Sequence, residues 1–233
     1  MSRPSTRAAL LEQGALLFAR HGVGAVTAKQ LHEAAGARNE SALHYHFGDR
    51  CGLVTAILRD HVAAVEARRQ LALDALEADG ATTDLRSIVR ALAGPMADDL
   101  ASPLGRAHLR IVAQLDHPAL GDSSPFTDAE STIGTPTPSG EAVVGLLLAA
   151  LGDLPARVRA ERLVVLRATL LAQLGARARL IDDDPRRGGE AASALFLENL
   201  LDMLVAALTA PVSGATRAVL RRRSSAEGRD RGT

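Results

Sequence analysis

Apolar residues recur along this chain with the spacing of helix faces. Leu11, Ala15 and Phe18 stand at i, i+4 and i+7, and Leu31, Ala34 and Ala35 at i, i+3 and i+4. Val54, Leu58, Val62 and Val65 form a longer stripe that Leu53 and Ile57 widen. Positions with this spacing share one side of an α-helix, so each set predicts an amphipathic helix with a buried face. No stretch shows the alternation of a half-buried strand. Capping residues, glycines and prolines then place helices at about 7–21, 27–35, 38–46, 50–78, 84–100, 103–115, 141–151, 155–181 and 189–209. The 84–100 helix is expected to bend near Gly94-Pro95, because proline removes a donor and clashes one turn back. The expected fold class is all-α: an N-terminal three-helix helix-turn-helix unit (1–50), a larger C-terminal helical domain for ligand binding and dimerisation (51–211), and a disordered basic tail (212–233).

Two segments depart from this pattern. Residues 116–140 gather Pro118, Gly121, Pro125, Gly134, Pro136 and Pro138 among Ser, Thr and Asp, a composition that opposes a packed helix and favours a linker over a lid on a pocket. From Val212 onward six arginines face only Glu227 and Asp230 and little can pack, so the tail is read as disordered with weak phosphate affinity. In the two last long helices the apolar stripe is too wide for a single neighbour. Leu163, Leu166, Leu170 and Leu174 are flanked by Val164, Val165 and Leu171, and Leu195, Phe196, Leu200, Met203, Leu204 and Leu208 form the second stripe. A homodimer interface is the expected sink for the excess.

The stretch from Thr27 to Phe47 reads as two short helices joined at Gly36. Thr27 can accept from the free N–H groups of the first turn, and Gly36 can adopt φ > 0 to turn the chain sharply. In the second helix Leu43 and Phe47 lie on the buried side, while Arg38, Asn39, Ser41 and His44 lie on or beside the polar side. Such groups match base edges in a major groove, and Thr27, Lys29, Tyr45 and Arg50 suit phosphates. An ordinary helical hairpin is the bland alternative, but so short and polar a helix adds little core.

These residues resemble a family. Phe18, Gly22, Thr27, Leu31, Ala34-Ala35-Gly36 and Leu43-His44-Tyr45-His46-Phe47 are similar to the DNA-binding domain of tetracycline-repressor type (TetR/AcrR) transcriptional regulators, over roughly 7–58. The chain departs from the family in having one more residue between Gly36 and Leu43, Ser41 for a frequent glycine, His44 for a frequent tyrosine and Arg50 for the usual lysine. The resemblance implies a homodimer on a palindromic, double-stranded operator, released when a small-molecule effector between the middle helices changes the separation of the recognition helices. Activation with the same fold stays open, as does a helical adaptor that never touches DNA.

Composition narrows the remaining chemistry. Formal net charge is +0 over 233 residues, so attraction to phosphate has to be local. Aromatics are 2% with no Trp, leaving Leu, Val and Ala to build the core. Cys51 is the one cysteine, which excludes an internal disulfide; its place at a helix start allows a redox role but is more often inert. His44 and His46, at i and i+2 on a helix, point apart and make no metal site. Asp182-Asp183-Asp184 reads as a solvated turn. No nucleophile–base pair, HExxH or Walker motif suggests an enzyme, and no cofactor is expected. The N-terminus lacks a signal-peptide core, so a cytoplasmic protein with no membrane contact is expected. In the second domain the polar handles expected beside an apolar ligand are His108, Arg110 and Gln114.

Overall fold

The computed structural model describes residues 5–36, 41–116, 128, 132 and 136–230, the last eight of these as backbone alone. Among them every regular element is helical. Short polar side chains start most of these helices by accepting from a first-turn N–H. Ser5 does so for α1 (Thr6–His21), Thr27 for α2 (Ala28–Ala34), and Asp49 for α4 (Arg50–Ala78). Asp84 caps α5 (Leu85–Ala97), Ser102 α6 (Pro103–Leu115), and Thr137 α7 (Pro138–Ala150). Helix α3 (Ala42–Phe47), α8 (Ala156–Asp183), α9 (Glu190–Thr209) and α10 (Gly214–Asp230) complete the order.

Helices α1, α2 and α3 and the start of α4 close around Leu10, Phe18, Val26, Leu31, Leu43, Leu53 and Ile57, all buried. Arg7 of α1 lies over the Phe47 ring, 5.5 Å from its centroid, tying α3 to α1. The 29 residues of α4 make a rod of roughly 43 Å, which runs on to pack against α5 and α7. Helix α6 is shared: it packs on α1 at one side and on α8 at the other. Ile88, Val89, Leu109, Ile111, Val143, Leu147, Leu174 and Leu201 fill the interior between α5 and α9.

Several boundaries differ from expectation. Helix α5 runs past the buried Pro95, ends at Ala97 and tightens into a 3-10 turn, Asp98–Ala101; Arg68 donates to the Pro95 carbonyl at 2.9 Å, covering an acceptor near the helix end. Helix α7 starts earlier than its apolar pattern because Thr137 caps it and Pro138 is preorganised for a first helical position. The tail expected to be disordered holds α10, in which the arginines and alanines favour the helix. The three aspartates are no free turn. Asp182 lies inside α8 and accepts from Arg106 Nε at 2.6 Å and Arg110 Nη1 at 2.7 Å, clamping α8 to α6.

Helix α9 is long and apolar enough to cross a membrane by length and composition, with a mean hydropathy of 1.6. In the fold its Leu200, Leu201, Leu204 and Leu208 are buried, and its Glu198 and Asp202 pair with Arg86 and Arg90 of α5.

The contact between α6 and α8 depends on a missing side chain. A Cβ at Gly175 would stand 2.5 Å from Ala113 Cβ and 3.4 Å from the Leu109 carbonyl, so only glycine lets the helices approach this closely. Gly175→Ala is expected to destabilise the fold by about 1–3 kcal/mol through overpacking, read as a lower urea midpoint.

Candidate functional site

The two-helix unit is built by its caps. Thr27 Oγ1 accepts from Gln30 N at 3.3 Å while Gln30 Oε1 accepts from Thr27 N at 2.8 Å, a reciprocal capping box that fixes where α2 begins. Gly36 follows with φ +59°. Leu31 and Leu43 point into the core, and the other side of the unit is polar and open. Tyr45 is 83% exposed, unusual for an aromatic ring in a chain with so few. Lys29 is exposed beside Glu33 at 3.8 Å, a pair worth little in water. His44 is exposed too, its Nδ1 donating to the Gly48 carbonyl at 2.6 Å, and Ser41 and Thr27 are exposed as well. Arg38 and Asn39, expected at base edges, lie outside the described residues.

Arg50, expected at a phosphate, has partners within the fold. Its Nη1 donates to the carbonyls of Val26 at 2.6 Å and Gly24 at 3.2 Å, bracing the first turn of α4 against the segment that leads into α2. These carbonyls lie outside any helix ladder, so a long cation from the neighbouring helix start is a natural partner. Cys51, next in the chain, has its thiol pushed up by burial and by Asp49, with Arg50 lowering it less. That is opposite to what a reactive thiol needs.

A cavity of about 640 Å³ lies between α4, α5, α7 and α8. Its walls are mainly aliphatic, with Val62, Val65, Leu92, Met96, Leu147 and Leu170 among them. That volume falls in the usual range for small-molecule sites. Two polar residues of the rod face it, His61 and Arg69. Glu66 of the rod accepts from Ser139 N at 2.8 Å and Ser139 Oγ at 2.6 Å, pinning the start of α7 at the cavity's edge. Burial pushes the Glu66 carboxyl up, but the bonds from Ser139 and Thr137 together outweigh it and hold the group below its ordinary value. Of the segment 116–140, expected as a linker, Thr132, Pro136 and Thr137 also line the cavity.

The polar handles expected from the sequence stand elsewhere. Arg110 is taken by Asp182 on the far side of α6. Gln114 accepts from Val23 N at 3.0 Å and donates to the Phe18 carbonyl at 3.4 Å, so it joins α6 to the end of α1. His108 sits one layer behind the cavity, its ring 4.9 Å from that of His61. What sequence reasoning missed had a signal. His61 and Arg69 fall at i, i+4 and i+8 with Val65 and so interrupt the buried stripe of the rod with polar groups.

Behind His61 lies a largely buried ionisable cluster. Asp99 Oδ1 accepts from Arg68 Nη2 at 2.8 Å, and Asp99 Oδ2 lies 3.4 Å from His61 Nδ1 without a hydrogen bond between them. Burial drives the His61 imidazole down to about 3, helped by the neighbouring His108, Arg68 and Arg69. Burial lifts the Asp99 carboxyl to about 6 against the pull of Arg68.

In comparisons with known proteins no family model and no curated protein matches this chain. Among solved structures it is similar to one described as "Molecular basis for control of antibiotic production by a bacterial hormones", with a TM-score of 0.48 and 20% identity, covering 88% of this chain and 98% of that one.

The cluster makes a prediction with a definite sign. His61, lowered from 6.5 to about 3, contributes stability that is complete above pH 6.5 and is lost as the pH falls toward 3. Asp99, raised from 3.8 to about 6, contributes stability that is complete below pH 3.8 and is lost as the pH rises through 6. Between pH 6 and 3.8 the two therefore oppose each other. Asp99→Asn leaves His61 unopposed, and urea titrations across that window should show stability falling with pH more steeply than in wild type, by up to about 1.4 kcal/mol per pH unit. Parallel slopes for the two proteins would contradict this assignment.

Proposed function

We propose that the chain is a transcriptional regulator of the tetracycline-repressor type, a homodimer that binds a palindromic DNA operator and releases it when a small molecule occupies the cavity. The observation that carries this reading is the joining of two features by one helix. The capped α2–α3 unit, with Lys29, His44 and Tyr45 outward and Leu31 and Leu43 inward, opens directly into α4, and α4 supplies His61 and Arg69 to the cavity wall. An ordinary structural hairpin would have no reason to expose its tyrosine while burying so little.

Dimerisation is supported by apolar side chains that the single chain leaves uncovered on α8 and α9: Val165, Leu180, Met203 and Leu195, the last 72% exposed. A face of this kind marks an association surface. Because Leu195 and Met203 lie outside the core, the double variant Leu195→Arg, Met203→Arg should keep its helical content and yet run as a monomer by light scattering. A wild type that is itself monomeric at micromolar concentration ends the dimer reading.

DNA binding is tested by selecting bound fragments from a random duplex pool and titrating the winner at two salt concentrations. Affinity should fall steeply with salt, as counterion release requires. Lys29→Ala and Tyr45→Ala should weaken all duplexes about equally, whereas Arg38→Ala and Asn39→Ala should each cost ~1–3 kcal/mol at particular base pairs. Recovery of no enriched sequence and no binding at low salt would leave the chain as an adaptor.

A further inference from the structure

The cavity holds a buried cation with an unmet donor among the described residues. Arg69 is 8% exposed, and its Nε is buried without a hydrogen-bond partner. Its nearest carboxylate, Glu66, is 3.9 Å away, beyond hydrogen-bonding distance, with both oxygens already accepting from Ser139. Glu66 therefore offsets part of the charge and leaves the Nε donor unmet. Guanidinium stays charged under all ordinary conditions and carries five donors in a planar fork, so burying it with a donor unmet is costly. Burial accordingly works against its charged form.

The other charged groups of the wall are accounted for. Arg167 is 51% exposed and paired with Asp116 at 2.6 Å, and Glu141 lies exposed at the rim. His61 is neutral at physiological pH and brings no competing charge. Apart from Thr132 and Thr137 the rest of the wall is apolar, with Val62, Val65, Leu163 and Leu170 among its side chains. A ligand that fits this wall has an apolar body, and a planar, two-oxygen anion at one end matches the planar Arg69 guanidinium with its unmet Nε.

We propose that the cavity takes a monocarboxylic acid with an apolar body, its carboxylate bound by Arg69. This rests on the reading of the cavity as a ligand site. Glu66 and Ser139 hold the neighbouring start of α7 in place, so the acid would settle beside an existing pin without having to break it.

Nile red, a neutral apolar dye, reports the cavity itself, and decanoate and methyl decanoate, competed against it at pH 7 on the full chain, report the head group. The acid should displace the dye about tenfold or more better than the ester, as a charge-assisted pair in a mainly apolar cavity requires. Arg69→Met should retain the dye and abolish the preference, and Arg69→Lys should restore part of it. Dye binding with no preference for the acid in wild type, or with the preference intact in Arg69→Met, overturns the proposal and leaves the ligand site standing. Absence of dye binding overturns the ligand site and the proposal together.

Discussion

The structure turns on α6, which has to satisfy two neighbours at once. On one side it lies against α1 of the N-terminal unit, where Gln114 accepts from the Val23 N–H just past α1 and donates to the Phe18 carbonyl, which also accepts from Gly22 N. On the other it lies against α8, close enough that Gly175 is needed, with Asp182 holding Arg106 and Arg110. The arginines are largely covered, so loss of the aspartate would strand two positive charges in a poorly solvated place. The N-terminal unit is thus attached twice, by the covalent run of α4 and by the face of α6. A change in either is felt at α1.

The rod carries the second constraint. Its inward register reads Leu58, His61, Val65, Arg69, Leu73 and Leu76, a buried stripe with two polar interruptions. A rod selected for stability alone would place apolar side chains at both, since a buried polar group gives little net stabilisation and is costly when left unpaired. Both interruptions occur where the rod faces the cavity, and the cluster around Asp99 is where Arg68 and His61 meet the end of α5. The same positions that weaken the core are those that give the cavity its chemistry.

How much of this the sequence carried follows from the range of each interaction. Helix positions were legible because caps and periodicity are local: Thr27, Asp49 and Asp84 each announce a helix three residues ahead of the bond they accept. The turn at Gly36 was legible for the same reason. The pairing of Asp182 with residues more than seventy positions earlier was not, and three adjacent aspartates before a proline read as solvent-facing. Gln114, Arg110 and His108 stand on α6 but are not among the residues that line the cavity. The periodicity of 103–115 identifies one buried face, yet α6 is buried on two, and nothing local says which polar residue looks toward the cavity. The rod was more readable than it was read: a histidine and an arginine in register with Val65 are visible without coordinates.

On the proposed reading, the architecture limits how a ligand could act. Among the described residues the cavity and the two-helix unit share no side chain, and α4 and α6 with Gln114 are the helices that reach from one to the other. A ligand shifts the position of these helices only as far as it binds one arrangement better than the other, and the operator must weaken the ligand by the same factor that the ligand weakens the operator. To move a population from almost all bound-competent to almost all released takes a differential of about 5.5 kcal/mol. An apolar body in a preformed aliphatic wall contacts both arrangements nearly alike and contributes little to that difference. A directional contact on the rod is far more sensitive to where the rod lies, because a hydrogen-bonded ion pair weakens steeply with angle and distance. Selectivity between the two arrangements is therefore expected to come from the polar end of the ligand on α4, and affinity from its apolar remainder.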